Sequence, residues 1–135
     1  MSKDKNKALV ERFLWAMLKS DRGIMADCLS SDTCWHPPTF AKDFGFDDLN
    51  GREDTIEFLC FHPEQFYEPG SRTMDLHNII GEGDYVSALF DFKAKPRRGG
   101  DLASISHYHF RCFDGEIAET WELLCTATMQ KAVEG

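Results

Sequence analysis

No run among the 135 residues approaches the ~18 consecutive apolar side chains needed to cross a bilayer. The polar start, Met1-Ser-Lys-Asp-Lys-Asn-Lys, lacks the apolar region and small-residue cleavage site of a secretory signal. A cytoplasmic protein with no membrane partner is expected. Basic residues are outnumbered, 15 against 23 acidic, which leaves a net charge of −8 and no electrostatic footprint for nucleic acid. The five cysteines (Cys28, Cys34, Cys60, Cys112, Cys125) are odd in number and contain no C-x-x-C pair. They read as reduced, small apolar residues and exclude a disulfide framework or zinc knuckle. Phosphate loop, dinucleotide fingerprint and serine elbow are missing too, so no nucleotide cofactor or covalent serine mechanism is suggested, and no cofactor is expected.

What is present suits one α+β domain spanning 1–135. A chain that is 42% apolar and 13% aromatic can fold around a substantial core. Leu9, Val10, Phe13, Leu14, Met17 and Leu18 recur with helical spacing. Ser20-Asp21 offers capping oxygens to a second, shorter helix carrying Ile24, Met25, Cys28 and Leu29, ended by Ser30-Ser31-Asp32. Thr33–His36 is a short β-favouring run stopped by Pro37-Pro38, and 37–50 reads as loop. Asn50 is a candidate cap for a third helix from Arg52 to about Phe61, with a break at Pro63.

Beyond Arg72 come four strand-like runs, Thr73–Ile80, Tyr85–Ala94, Ala103–Phe113 and Glu116–Ala127. Asp114-Gly115 is the strongest hairpin signal, since both positions of its turn want positive φ. Helices first and an antiparallel meander after them predict a curved sheet with three helices on one face, a cone whose open end forms a pocket. Alternation places His107, His109, Arg111 and Phe113 on one side of their strand and Tyr108, Phe110 and Cys112 on the other. Thr120, Glu122 and Leu124 share one face of the last strand, and Glu119, Trp121 and Leu123 the opposite one.

Five segments in order carry a resemblance: Ala8-Leu-Val-Glu-Arg-Phe13, Thr33-Cys-Trp-His-Pro37, Gly51-Arg-Glu-Asp-Thr-Ile56, His77-Asn-Ile-Ile-Gly-Glu-Gly-Asp84 and Phe113-Asp-Gly-Glu-Ile-Ala-Glu-Thr-Trp-Glu122. In them the chain resembles the SnoaL-like (polyketide cyclase, ketosteroid isomerase) branch of the nuclear-transport-factor-2-like superfamily. The resemblance implies a cone-shaped α+β barrel, a hydrophobic pocket for a small molecule, and a homodimer formed through the outer sheet face. It leaves the chemistry open, because this fold hosts isomerases, cyclases, hydrolases, dehydratases and pure binders.

Carried over position by position, the resemblance implies four site residues. His36 matches the proton-moving carboxylate before the proline of the isomerases, and an imidazole near its ordinary pKa of about 6.5 suits that task. His109 matches their oxyanion-side acid, with His107 assisting from the same face. Glu122 matches the acid after the closing tryptophan and is expected to face the same interior, its pKa raised by apolar surroundings. Phe13 stands where the isomerases carry a helix tyrosine, which weighs against steroid isomerisation. Phe13, Trp15, Phe40, Phe44, Phe58 and Thr120 are expected to line the pocket, with 39–48 as a lid.

The reading is therefore a cofactor-independent acid–base enzyme, of cyclase, isomerase or hydratase type, acting on a small hydrophobic carbonyl compound. A non-catalytic ligand-binding dimer is the alternative. A metal site built on His107-x-His109 and Cys34-x-His36 is the less favoured rival, because Phe113 and Asp114 stand where a further glutamate ligand would be wanted.

Overall fold

The computed structural model describes residues 3–124, with the side chains of Lys3, Phe40 and Phe44 outside the description. Helix α1 spans Lys3–Leu18, α2 Arg22–Cys28 and α3 Arg52–Phe66. Strands β1 (Leu29–His36), β2 (Leu49–Asn50), β3 (Thr73–Glu82), β4 (Tyr85–Ala94), β5 (Leu102–Phe113) and β6 (Glu116–Leu124) form one curved, unclosed sheet in the order β2-β1-β6-β5-β4-β3. Only the β1–β6 pairing is parallel. No helix among the described residues is long and apolar enough to cross a membrane.

Local chemistry accounts for most boundaries. The Asp21 carboxylate accepts from the Ile24 N–H at 3.1 Å and starts α2. Asp114 and Gly115, with φ of 52° and 79°, make the two-residue turn expected between β5 and β6. Three boundaries differ from the sequence reading. The Ser30-Ser31-Asp32 stretch does not end in loop: β1 starts at Leu29, whose place opposite Ile117 draws it into the sheet, and an irregularity before Cys34 absorbs the polar residues. Helix α3 begins from Gly51 (φ 100°) without a side-chain cap from Asn50, and it runs past Pro63 to Phe66. A proline costs the helix one donor near its end, and the Tyr67 N–H closes the last turn on the Pro63 carbonyl at 2.9 Å. Within 37–50, Thr39–Phe44 winds into a 3-10 turn and Leu49–Asn50 pairs with β1.

The core lies between the helices and the inner sheet face. Val10, Phe13 and Leu14 of α1, Met25 and Cys28 of α2, and Ile56, Leu59 and Cys60 of α3 meet Trp35, Phe90, Tyr108, Phe110 and Ile117. One register feature governs the last strand. Arg111 faces Glu119 but Cys112 faces Ile117, so Ala118 is an extra residue, a bulge. Ile117 and Thr120 both point inward because of it, and so does Glu122.

Candidate active site

At the wide end of the inner face lies a cavity of about 370 Å³. Its wall is mainly apolar, with Phe58, Phe66 and Leu59 from α3, Met17 and Leu18 from α1, and Phe92 from β4. Nine polar side chains interrupt it: Glu122, Tyr108, Tyr67, His62, Gln65, Arg72, Arg97, Arg98 and Ser106.

Among the described residues Glu122 is its single carboxylate. It stands opposite Tyr108 across the β5–β6 ladder. Its Oε1 accepts from the indole N–H of Trp35 at 3.0 Å, and the Tyr108 hydroxyl donates to it as well. Burial pushes the Glu122 carboxyl up to about 7, against the pull of these two donors, which favour the anion. Tyr67 is pushed up to about 12 by burial first and by Glu122 second, while Arg72 works the other way. Tyr108 is raised for the same leading reason. Both phenols thus stay protonated donors at neutral pH. His62 sits among the rings of Phe46, Phe58 and Phe61, with centroids 4.6, 4.8 and 5.2 Å away, and burial lowers its pKa, so its neutral form is favoured.

The three other residues expected beside Glu122 lie on the opposite side of the sheet. Tyr108, Phe110 and Cys112 fill the inner face of β5, so alternation turns His107, His109 and Arg111 outward. Trp35, fully buried, takes the inner position on β1 and leaves His36 outside. The shared interior for Glu122, His107 and His109 is thereby corrected. The placement of the proposed wall residues also changes. Phe58 lines the cavity, whereas Phe13 is sealed in the core at 0% exposure, packed on Trp35 and Phe110. Trp15 turns outward at 37%, and Thr120 is fully buried away from the wall with no partner for its hydroxyl among the described residues. Phe40 and Phe44 fall outside the described side chains; Ala41 and Phe46 of the same segment do line the cavity.

On the outer face the histidines build a network of their own. The His36 ring sets Nδ1 3.0 Å from Asp48 Oδ2 and Nε2 2.6 Å from Glu119 Oε2, and it stacks on Trp121. Partial burial opposes charge on His36, but the two carboxylates outweigh it and hold its pKa above the ordinary value. Glu119 also accepts from Arg111 Nε at 3.3 Å. Arg111 and, when protonated, His36 thus face the carboxylates of Asp48 and Glu119. Cys34 Sγ, a His36 ring nitrogen and a Glu119 oxygen converge within 4.8 Å, the one donor set among the described residues with the makings of a metal site. Burial, then the charges of Asp48 and Glu119, push the Cys34 thiol up and keep it protonated. His107 and His109 do not belong to that set. His109 Nδ1 instead hydrogen-bonds with Ser87 Oγ, 2.7 Å away, and the ring stacks on Tyr85.

Tyr108, His62 and Arg72 were not singled out from the sequence as site residues. Tyr108 had a signal, its place in the apolar alternation of β5. Tyr67 is one of the aromatics that the composition offers for a pocket wall, whereas Arg72, just before β3, had no signal.

The model of the SnoaL-like domain family matches residues 10–120. Among solved structures, an NTF2-like protein of unknown function from Burkholderia pseudomallei superposes with a TM-score of 0.86 at 18% identity, over 100% of both chains. A putative SnoaL-like polyketide cyclase from Jannaschia gives 0.84 at 16% identity, over 98% of this chain and 94% of that one. TerC, co-crystallised with polyporic acid, gives 0.84 at 17% identity over 97% and 99%. These likenesses establish the fold. No curated protein matches the sequence significantly.

Proposed function

Starting from the fact that the chain belongs to the SnoaL-like domain family, we propose that it is a cofactor-independent acid–base enzyme that moves a proton on a small hydrophobic carbonyl compound held in the inner cavity. The observation that carries this is Glu122, a single carboxyl in an apolar wall whose pKa of about 7 lets it take and return a proton near neutrality. Trp35 and Tyr108 hold the carboxylate in place. Tyr67, protonated far above neutral pH, is the donor for the carbonyl oxygen as negative charge builds on it. Removing a proton from the carbon next to the carbonyl yields an enolate. Returning that proton to another carbon is isomerisation; attack of the enolate carbon on a second carbonyl is cyclisation; loss of a β-hydroxyl as water is dehydration. His36, His107 and His109 stand on the outer face, away from the cavity, and take no part in this scheme.

The same face offers Tyr85, Ile105, Phe113 and Leu123, all exposed, beside Trp121. We propose that two copies pair through it, which sedimentation velocity will read as a dimer.

Deuterium wash-in tests the reaction. In D2O, a panel of small hydrophobic ketones should exchange α-protons with the wild-type protein and not with Glu122→Gln, followed by NMR. Binding without exchange would sink the enzymatic reading and leave a ligand-binding protein.

A further inference from the structure

Among the described residues Arg72 is a cation without an ion-paired anion. It lies partly buried on the cavity wall, and its Nη2 donates to Ser20 Oγ at 2.9 Å. Burial lowers its pKa, the expected mark of a guanidinium removed from water. Withdrawing a charge from solvent is costly unless a counter-charge meets it. Ser20 offers one neutral oxygen to a group with five N–H donors in a planar fork.

The surroundings sharpen the imbalance. Arg97 and Arg98, both more exposed, line the same cavity, so three of the chain's seven arginines converge on it although the net charge is −8. Arg97 Nε donates to the Glu64 carbonyl at 2.9 Å, and neither side chain is ion-paired among the described residues. The one carboxyl that the described residues put on the wall, Glu122, is committed to Trp35 and Tyr108. Tyr67 feels both Glu122 and Arg72, so the acid and the guanidinium flank one phenol.

We propose that Arg72, backed by Arg97 and Arg98, forms an anion subsite in the cavity, and that the ligand is an apolar molecule carrying a carboxylate or an equivalent planar oxyanion. A carboxylate matches the guanidinium fork with two parallel hydrogen bonds, which a lysine would not offer. The charged end docks at Arg72, the apolar body fills the wall of Phe58, Phe66 and Phe92, and the reacting carbon is thereby fixed relative to Glu122. This inference rests on the cavity being the ligand site proposed above.

The test uses the full-length protein and a matched pair of probes, 2-naphthylacetate and its uncharged amide, titrated calorimetrically near pH 6, where the ligand is ionised. The acid should bind wild type at least about tenfold more tightly than the amide. Arg72→Gln should erase that preference while binding the amide as wild type does, which also shows the variant to be folded; Arg72→Lys should retain part of it. Equal affinity of the two probes for wild type overturns the anion subsite and leaves the cavity reading standing. A preference that survives Arg72→Gln removes Arg72 from the role. Failure of both probes to bind overturns the cavity reading and this one together.

Discussion

Tyr108 and Glu122 face each other across the β5–β6 ladder on the inner side of the sheet, and the phenol donates to the carboxylate. The acid is thus fixed by a partner on a neighbouring strand and not by a loop, with the Trp35 indole gripping it from below.

The Glu122 carboxyl will titrate near 7, against an ordinary value near 4.5. Side-chain 13C NMR, with Glu122→Gln to assign the signal, measures it directly. A midpoint below about 5 would remove the basis for neutral-pH proton transfer by this group.

That shift also predicts how stability depends on pH. Between the unfolded and folded values the native state binds the extra proton, so stability falls as pH rises through that window. The penalty reaches roughly 3 kcal/mol above pH 7. Glu122→Gln does not carry it, so in urea titrations the variant should gain on wild type from pH 5 to pH 8 by an amount of that order.

Tyr108→Phe deletes a donor that favours the anion. The Glu122 midpoint should move further upward, by about a unit for one lost hydrogen bond, in the same NMR titration. An unchanged or lower midpoint would show that Tyr108 does not stabilise the charge.

His36 is held above its ordinary pKa by Glu119 and Asp48. Its contribution to stability is complete below about pH 6.5 and fades as pH rises through the folded value. Thermal melts of wild type and His36→Gln should therefore differ most at low pH and converge at high pH. A gap that widens with pH would show that the pair does not hold the charged ring.

Thr120 buries a hydroxyl that has no partner among the described residues, whereas its shape fits the inner face. Thr120→Val should stabilise the protein by about 1 kcal/mol in urea unfolding. Destabilisation of similar size would mean that the hydroxyl is satisfied in solution.

Elements set by local chemistry were legible in the sequence. The stripe of Val10, Phe13 and Leu14, the Asp21 cap and the Asp114-Gly115 turn each depend on neighbours within a few positions. The sides of the sheet were legible only in part. Period-two alternation groups His107 with His109 and Tyr108 with Phe110, but it does not say which group faces in. Aligning His109 with a family acid pointed one way; the greater apolar area of Tyr108, Phe110 and Cys112 pulls the other way, and it decides. Glu122 was correctly grouped with Thr120, yet its partner Tyr108 could be named only once the faces were known. Arg72 and Tyr67 reach the cavity through the packing of α3 against the sheet, a relation over which no local rule has a hold.

Ala118 gives the last strand its phase. It is the extra residue that lets Ile117 close the core and Glu122, five positions later, still point into the cavity. Iron the bulge out with Ala118 kept in the regular ladder and every later side chain of β6 changes sides: Trp121 and Leu123 go inward, and the acid goes to solvent beside the outer histidines. Which face of the strand lines the cavity is therefore written partly as a count. A single-codon deletion of Ala118 would instead restore plain alternation and leave Ile117 and Glu122 both facing inward.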